Sequence, residues 1–176
     1  MKKYELAIRD LTKSVEINPT WADAFEQRGK CFEAIGDKEQ AQEDFSKADE
    51  IHFEQSIDKH SKLISRGDNF QQDNDLAVAI ISYTRAIEYN PNYYLTYARR
   101  GETYFNMGDY VKAIEDYTRA IELQSSMKEN YLCRGKCFEL LEDRTQALGD
   151  YKKALELDGN IDICNKVLEL ERVGKP

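Results

Sequence analysis

The dipeptide Arg-Gly recurs at Arg28-Gly29, Arg66-Gly67, Arg100-Gly101 and Arg134-Gly135, separated by 38, 34 and 34 residues. Three residues after each Gly stands an aromatic ring: Phe32, Phe70, Tyr104 or Phe138. Twelve residues after it stands Ala41, Ala79, Ala113 or Ala147. Four positions further on is Phe45, Tyr83, Tyr117 or Tyr151, and three beyond that Ala48, Ala86, Ala120 or Ala154. Five concordant positions in four copies restrict the chain to a tandem array of similar units. Ala7, Leu11, Ser14 and Pro19 match the second half of the template, 34 residues before Ala41 and its successors, so a half copy precedes the full ones.

Each copy divides into two helical segments. The first carries its Gly and aromatic at helical spacing, and the second carries Ala, aromatic, Ala at i, i+4 and i+7. Between them lie Gly36-Asp37, Asn74-Asp75, Gly108-Asp109 and Glu142-Asp143. Gly tolerates the left-handed conformation that ends a helix, and Asp caps the next one. Small Gly and Ala residues let two helix backbones approach, with the aromatics filling the space beside them. Neither helix buries its apolar face alone, so neighbouring units must stack.

The pattern resembles the tetratricopeptide repeat family over nearly the whole chain. The resemblance implies an all-α, right-handed α-solenoid of antiparallel helix pairs, about ten helices in all. The expected array covers 1–176: a half repeat at 2–21, full repeats at 22–55, 60–93, 94–127 and 128–160, and a capping helix at 161–173. The family's closing Pro is present as Pro19 and Pro91 but is replaced by Phe53, Ser125 and Gly159 elsewhere. Phe25, Leu63, Tyr97 and Tyr131, four residues before each Gly, are expected to wedge between adjacent units.

One joint is irregular. The 38-residue spacing adds four residues near IHFEQSIDKH, with no Gly or Pro between Asp49 and Ser65. Four residues are about one helical turn, so the helix there is expected to run on or to fuse with the next. At the start, Tyr4, Ala7, Ile8 and Leu11 lack a partner helix. The expectation is a segment cut from a longer array, with self-association through residues 2–17 as the alternative.

The charge pattern narrows function. A formal charge of −8, from 25 Lys and Arg against 33 Asp and Glu, argues against nucleic acid, whose phosphates need cationic counterparts. No run approaches the ~18 apolar residues of a membrane span, so no membrane partner is expected. The N-terminus lacks the apolar core of a signal peptide, which makes the cytoplasm the expected location. Cys31, Cys133, Cys137 and Cys164 form no CxxC pair and lie far from His52 and His60, so they read as reduced packing residues. No metal site, cofactor, phosphate loop or nucleophile motif is present, and the chain is read as non-catalytic.

The repeated Arg of each unit has its own explanation. Asp44, Asp116 and Asp150 follow Arg28, Arg100 and Arg134 by sixteen residues, and Ser82 stands in that slot for Arg66. A fixed Arg–Asp offset predicts ion pairs between helices rather than a ligand site.

The family resemblance places binding on the first helix of each pair, which lines a concave groove for peptides or partner helices. The groove candidates are Ile64, Asp68, Leu95, Arg99, Glu102, Phe105, Leu132, Cys133, Lys136 and Leu140. Leu95, Phe105, Leu132 and Leu140 are expected to form an apolar strip flanked by Arg99 and Lys136, suited to a ligand with hydrophobic anchors and some acidic character. Co-chaperones of the family hold a C-terminal EEVD carboxylate with Lys and Asn, then Asn, then Lys and Arg on three successive units. The matching positions here are Glu26, Lys30, Ser65, Leu95 and Arg99. One unit later they are Ile64, Asp68, Arg99, Glu129 and Cys133. Only Arg99 in the first set fits, so an EEVD-type carboxylate clamp is not expected. The leading reading is a protein-interaction scaffold or adaptor. The alternatives are a structural or self-associating segment of a larger repeat protein, or an accessory domain of an enzyme whose catalytic part lies elsewhere.

Overall fold

The computed structural model describes residues 2–172. Met1 and residues 173–176, included in the expected array and cap, lie outside the described residues. Among the described residues there are nine α-helices and no strand. They are α1 (Lys2–Ile17), α2 (Ala22–Ile35), α3 (Lys38–Gln72), α4 (Leu76–Tyr89), α5 (Tyr94–Asn106), α6 (Tyr110–Leu123), α7 (Lys128–Leu140), α8 (Arg144–Asp158) and α9 (Ile161–Arg172). Nine among the described residues agrees with the expected count of about ten. α3, at 35 residues, fuses the second helix of one repeat with the first helix of the next. Without a Gly or Pro at the joint, every backbone N–H there continues the helical ladder.

The helices pack as two compact units that divide between Asp58 and Lys59, inside α3. In the first, α1 packs on α2, and Ala22, Ala48 and Ile51 are buried together against Phe25. In the second, α4 to α9 pack each on the next in chain order. Its alanines Ala79, Ala86, Ala113, Ala120, Ala147 and Ala154 are fully buried, and Tyr83, Tyr117 and Tyr151 are almost as deep. These are the template's i, i+4, i+7 positions, now the seam along which the helices touch. Close approach explains the repeated Gly most clearly at Gly67, where a Cβ would sit 2.5 Å from Cε1 of Tyr83. The last helix seals the end: Ile163 and Val167 of α9 bury against Tyr131, Ala147, Tyr151 and Ala154.

All four turns within the repeats are built alike. Gly36, Asn74, Gly108 and Glu142 have φ of +88°, +60°, +81° and +61°. The following Asp37, Asp75, Asp109 and Asp143 donate their backbone N–H to Phe32, Phe70, Tyr104 and Phe138 carbonyls. Their carboxylates accept from the backbone N–H three residues on, in Gln40, Val78, Lys112 and Gln146. The chain reversal and the next N-cap are therefore one motif.

The Arg–Asp offset is realised as bidentate ion pairs. Arg28 donates to Asp44 at 2.8 and 2.7 Å, and Arg100–Asp116 and Arg134–Asp150 repeat those distances. The third guanidinium nitrogen of each donates to a threonine sixteen residues earlier: Thr12, Thr84 or Thr118. Asp44, Asp116 and Asp150 are buried, so each carboxylate is neutralised and hydrogen-bonded where water cannot serve it. The remaining copy carries Glu50, Arg66 and Ser82 in the same slots, and Arg66 is exposed.

Candidate functional site

α5 and α7 are the first helices of successive repeats, and α6 returns the chain between them. Along α5, Leu95, Ala98, Arg99 and Glu102 recur at helical spacing and share one stripe. On α7, Glu129, Asn130 and Cys133 do the same. Both stripes line one cavity of ≈ 420 Å³, together with Tyr94, Met127 and the buried Tyr117 of α6. Four groove candidates meet here: Leu95, Arg99, Glu102 and Cys133. Arg99 also lines a smaller cleft of ≈ 290 Å³ with Asp68, Gln71, Gln72 and Asn106, so it joins the two.

Arg99 is held only loosely. Its Nε lies 3.7 Å from Asp68 and one of its other nitrogens 3.9 Å from Glu102, distances of charge attraction rather than hydrogen bonding. Nε is buried and has no hydrogen-bond partner. Asp68 is meanwhile engaged by the Tyr83 hydroxyl, which donates to it at 2.7 Å. Burial, followed by that bond, pushes the Tyr83 phenol well above its usual range, so it remains a donor.

Asn130 is 4% exposed, and its Nδ2 has no partner. The same repeat slot holds Ala24 at 1% and Thr96 at 0% exposure in two sibling units and the exposed Lys62 in the third. Sequence reasoning passed over Asn130, Tyr94, Met127 and Tyr117. Comparison of the slot across repeats does not single out Asn130, because the siblings there are as different as Ala24, Lys62 and Thr96.

Cys133 and Cys137 show no reactive character. Burial raises the Cys133 thiol and pushes Cys137 up to about 12, so both stay protonated and poorly nucleophilic. All four cysteines are free. Among the described residues no three His, Cys, Asp or Glu groups converge to hold a metal.

The other candidates are placed differently. Phe105 packs against the Ala113, Tyr117 and Cys137 core, with the Tyr110 ring 5.5 Å away. Leu132 packs against the core of Tyr131, Ala147 and Tyr151. Ile64 is half-buried, while Lys136 and Leu140 are exposed. A serine at Phe105 or Leu132 would therefore perforate packing, so Leu95 is the better apolar probe of the cavity.

The paired helices, the left-handed turns and the Gly–aromatic seam now stand beside a match in sequence. Residues 94–127 and 22–53 each match the tetratricopeptide repeat. The chain carries tetratricopeptide repeats. Human tetratricopeptide repeat protein 6 is 34% identical over 103 residues, 57% of this chain and 19% of that protein's length. This chain thus spans about a fifth of that relative. The second such domain of human RPAP3, solved with the HSP70 peptide SGPTIEEVD, is 26% identical with a TM-score of 0.61, covering 66% of this chain and 98% of the other. The second such domain of Spaghetti (RPAP3), bound to the HSP90 peptide SRMEEVD, is 28% identical with a TM-score of 0.56, covering 60% and 99%.

These complexes overturn the exclusion of an EEVD-type clamp. Tetratricopeptide-repeat domains similar to this one hold such peptides. The slot count failed as a test because it examined one arrangement of donors, whereas a carboxylate accepts from any converging N–H groups.

Proposed function

We propose that this protein is a non-catalytic interaction scaffold that binds a peptide segment of a partner protein along the α5–α7 face. The observation that carries the reading is the cavity between these helices, with apolar walls from Leu95 and Ala98 and the under-bonded Arg99 at its side. Apolar lining with a few placed polar groups is the usual composition of a recognition pocket. Peptides of the EEVD type, as held by the similar RPAP3 domains, are the ligand class proposed here, with Arg99 donating to a carboxylate. Among the described residues no helix is long and apolar enough to cross a membrane. A cytoplasmic location is part of the proposal, supported by four free cysteines.

The test is fluorescence anisotropy of labelled SGPTIEEVD against the full chain, with a peptide of scrambled order as control. Saturable binding that is weakened by Arg99→Gln and by Leu95→Ser supports the reading. Equal binding of native and scrambled peptides, or none at millimolar protein, removes this ligand class. Self-association is a second reading, favoured by Tyr4 and Leu6, which are 45% and 52% exposed on α1. Sedimentation over a range of concentrations, with Leu6→Ser as control, separates the two.

A further inference from the structure

The α5–α7 cavity has an unusual polar inventory. Three buried side-chain atoms among the described residues lack a hydrogen-bond partner, and all three are nitrogens: Arg99 Nε, Asn130 Nδ2 and Arg144 Nη2. The first two belong to residues lining this one cavity. Buried donors are normally satisfied, and an orphan costs free energy until an acceptor arrives. A group that satisfies either nitrogen must therefore be an acceptor.

The surrounding charges select the kind of acceptor. Glu102 and Glu129 also line the cavity, so a second carboxylate beside Asn130 would meet like charge. A neutral carbonyl meets none. The remaining walls near Asn130 are apolar or uncharged: Leu95, Ala98, Met127 and the protonated Cys133. At ≈ 420 Å³ the space far exceeds the ~30 Å³ share of one water and is large enough for an amino-acid residue.

Building on the peptide-binding reading above, we propose that Asn130 is a ligand-binding residue whose side-chain amide donates to a main-chain carbonyl of the bound segment, while the neighbouring apolar side chain of that segment fills the cavity. Asn130 acts through contact with ligand and not as a structural residue. In the same slot of the preceding repeat the Thr96 hydroxyl lies 3.3 Å from His60 Nε2, whereas Asn130 Nδ2 has no partner within the fold, which leaves its N–H groups for a ligand. The ligand class is a protein segment with an uncharged, aliphatic anchor residue.

The experiment uses the full chain, ¹⁵N-labelled, and two probes: N-acetyl-leucine methylamide, which has one aliphatic side chain, two carbonyls and no charge, and the peptide SGPTIEEVD. The expected result with capped leucine is a saturable shift of the Asn130 side-chain amide signals together with the backbone signals of Leu95 and Cys133. The exposed Asn92 side chain should not move. Asn130→Ala should weaken capped-leucine affinity about threefold to tenfold, the usual effect of one lost neutral hydrogen bond. Its melting temperature should stay level or rise, because an unsatisfied buried amide has gone. Asn130→Thr, which places in this slot the side chain that Thr96 supplies in the sibling unit, is the second variant should the alanine form fold poorly.

Capped leucine that moves Leu95 and Cys133 but not the Asn130 amide overturns the proposal. So does a lower melting temperature in both variants, which would reveal a structural partner. Failure of both probes to move the Asn130 amide overturns it as well. The two readings separate cleanly. If SGPTIEEVD does not bind but capped leucine moves Asn130, the EEVD ligand class is lost and this inference stands. If SGPTIEEVD binds equally to wild type and Asn130→Ala, this inference is lost and the peptide-binding reading stands.

Discussion

Arg100 grips Asp116 through two hydrogen bonds of 2.8 and 2.7 Å, sixteen residues apart in sequence and on adjacent helices. The Asp116 side chain is 7% exposed and that of Arg100 18%. The desolvation of Asp116 raises its carboxyl pKa despite Arg100 beside it. The pair is thus better regarded as a specificity device than as a source of large net stability. Removing one partner is a different matter. Arg100→Ala strands a buried carboxylate and should cost roughly 3 kcal/mol, read from the urea midpoint. Peptide affinity measured well below the melting temperature should not change. Unchanged melting with abolished binding would show that Arg100 faces ligand instead.

Glu142 closes its turn at φ +61°, where Gly36 and Gly108 serve in sibling repeats. A left-handed residue with a Cβ is strained by about 1 kcal/mol or more. Glu142→Gly should therefore stabilise the protein by about 1 kcal/mol, net of the chain entropy that glycine adds. Scanning calorimetry should show a rise of a few degrees. A fall would mean that the Glu142 side chain contributes more than the strain costs.

Two glycine substitutions should act in opposite directions. Gly67→Ala drives a methyl to 2.5 Å from Tyr83, whose ring is fully buried and whose hydroxyl engages Asp68. A loss of about 2 kcal/mol is expected, with a shift of the Arg99 signals as Asp68 moves. Gly149 lies inside α8 with open space where a Cβ would go. Gly149→Ala should gain about 0.5–1 kcal/mol from helix propensity. Equal effects of the two, by urea denaturation, would contradict the close-approach explanation.

His60 carries a pH dependence. Its ring is buried, with Nε2 3.3 Å from the Thr96 hydroxyl and the Tyr93 ring edge-on at 5.1 Å. Burial lowers its pKa from the ordinary 6.5. Between the lowered value and 6.5 the unfolded chain binds more protons than the folded one, so stability rises with pH. The contribution is complete above the ordinary value and is lost as pH falls through it toward the lowered one. Urea midpoints at about pH 7.5 and pH 5.5 should differ in the wild type, and His60→Gln should reduce that difference. An identical pH slope in the variant would assign the effect to other groups.

Much of this architecture was legible in the sequence, and for local reasons. Asp75, Asp109 and Asp143 announce N-caps because a capping bond spans three residues. Four extra residues near IHFEQSIDKH, with no helix breaker, announced the continuous α3. Arg28 with Asp44, and its two counterparts, were found because an exact repeat offset is a long-range contact copied several times. The threonines at 12, 84 and 118 obey the same sixteen-residue offset and were within reach of the same comparison.

The lining of the α5–α7 cavity was not legible in that way. Leu95 and Phe105 carry the same helical signal, yet one lines a cavity and the other packs on Tyr110. Asn130 is separated from Arg99 by nearly a whole repeat, and only the packing of α7 beside α5 brings the two residues to one cavity. The sequence by itself determined the helices, their turns, the small-residue seam and the repeated ion pairs, because each rests on spacing within one helix or on an offset repeated in every unit. The tertiary structure alone decided which side chains face the cavity. That depends on how far each helix is rotated and shifted against its neighbour, which the summed volumes of many packed side chains set and no single spacing records.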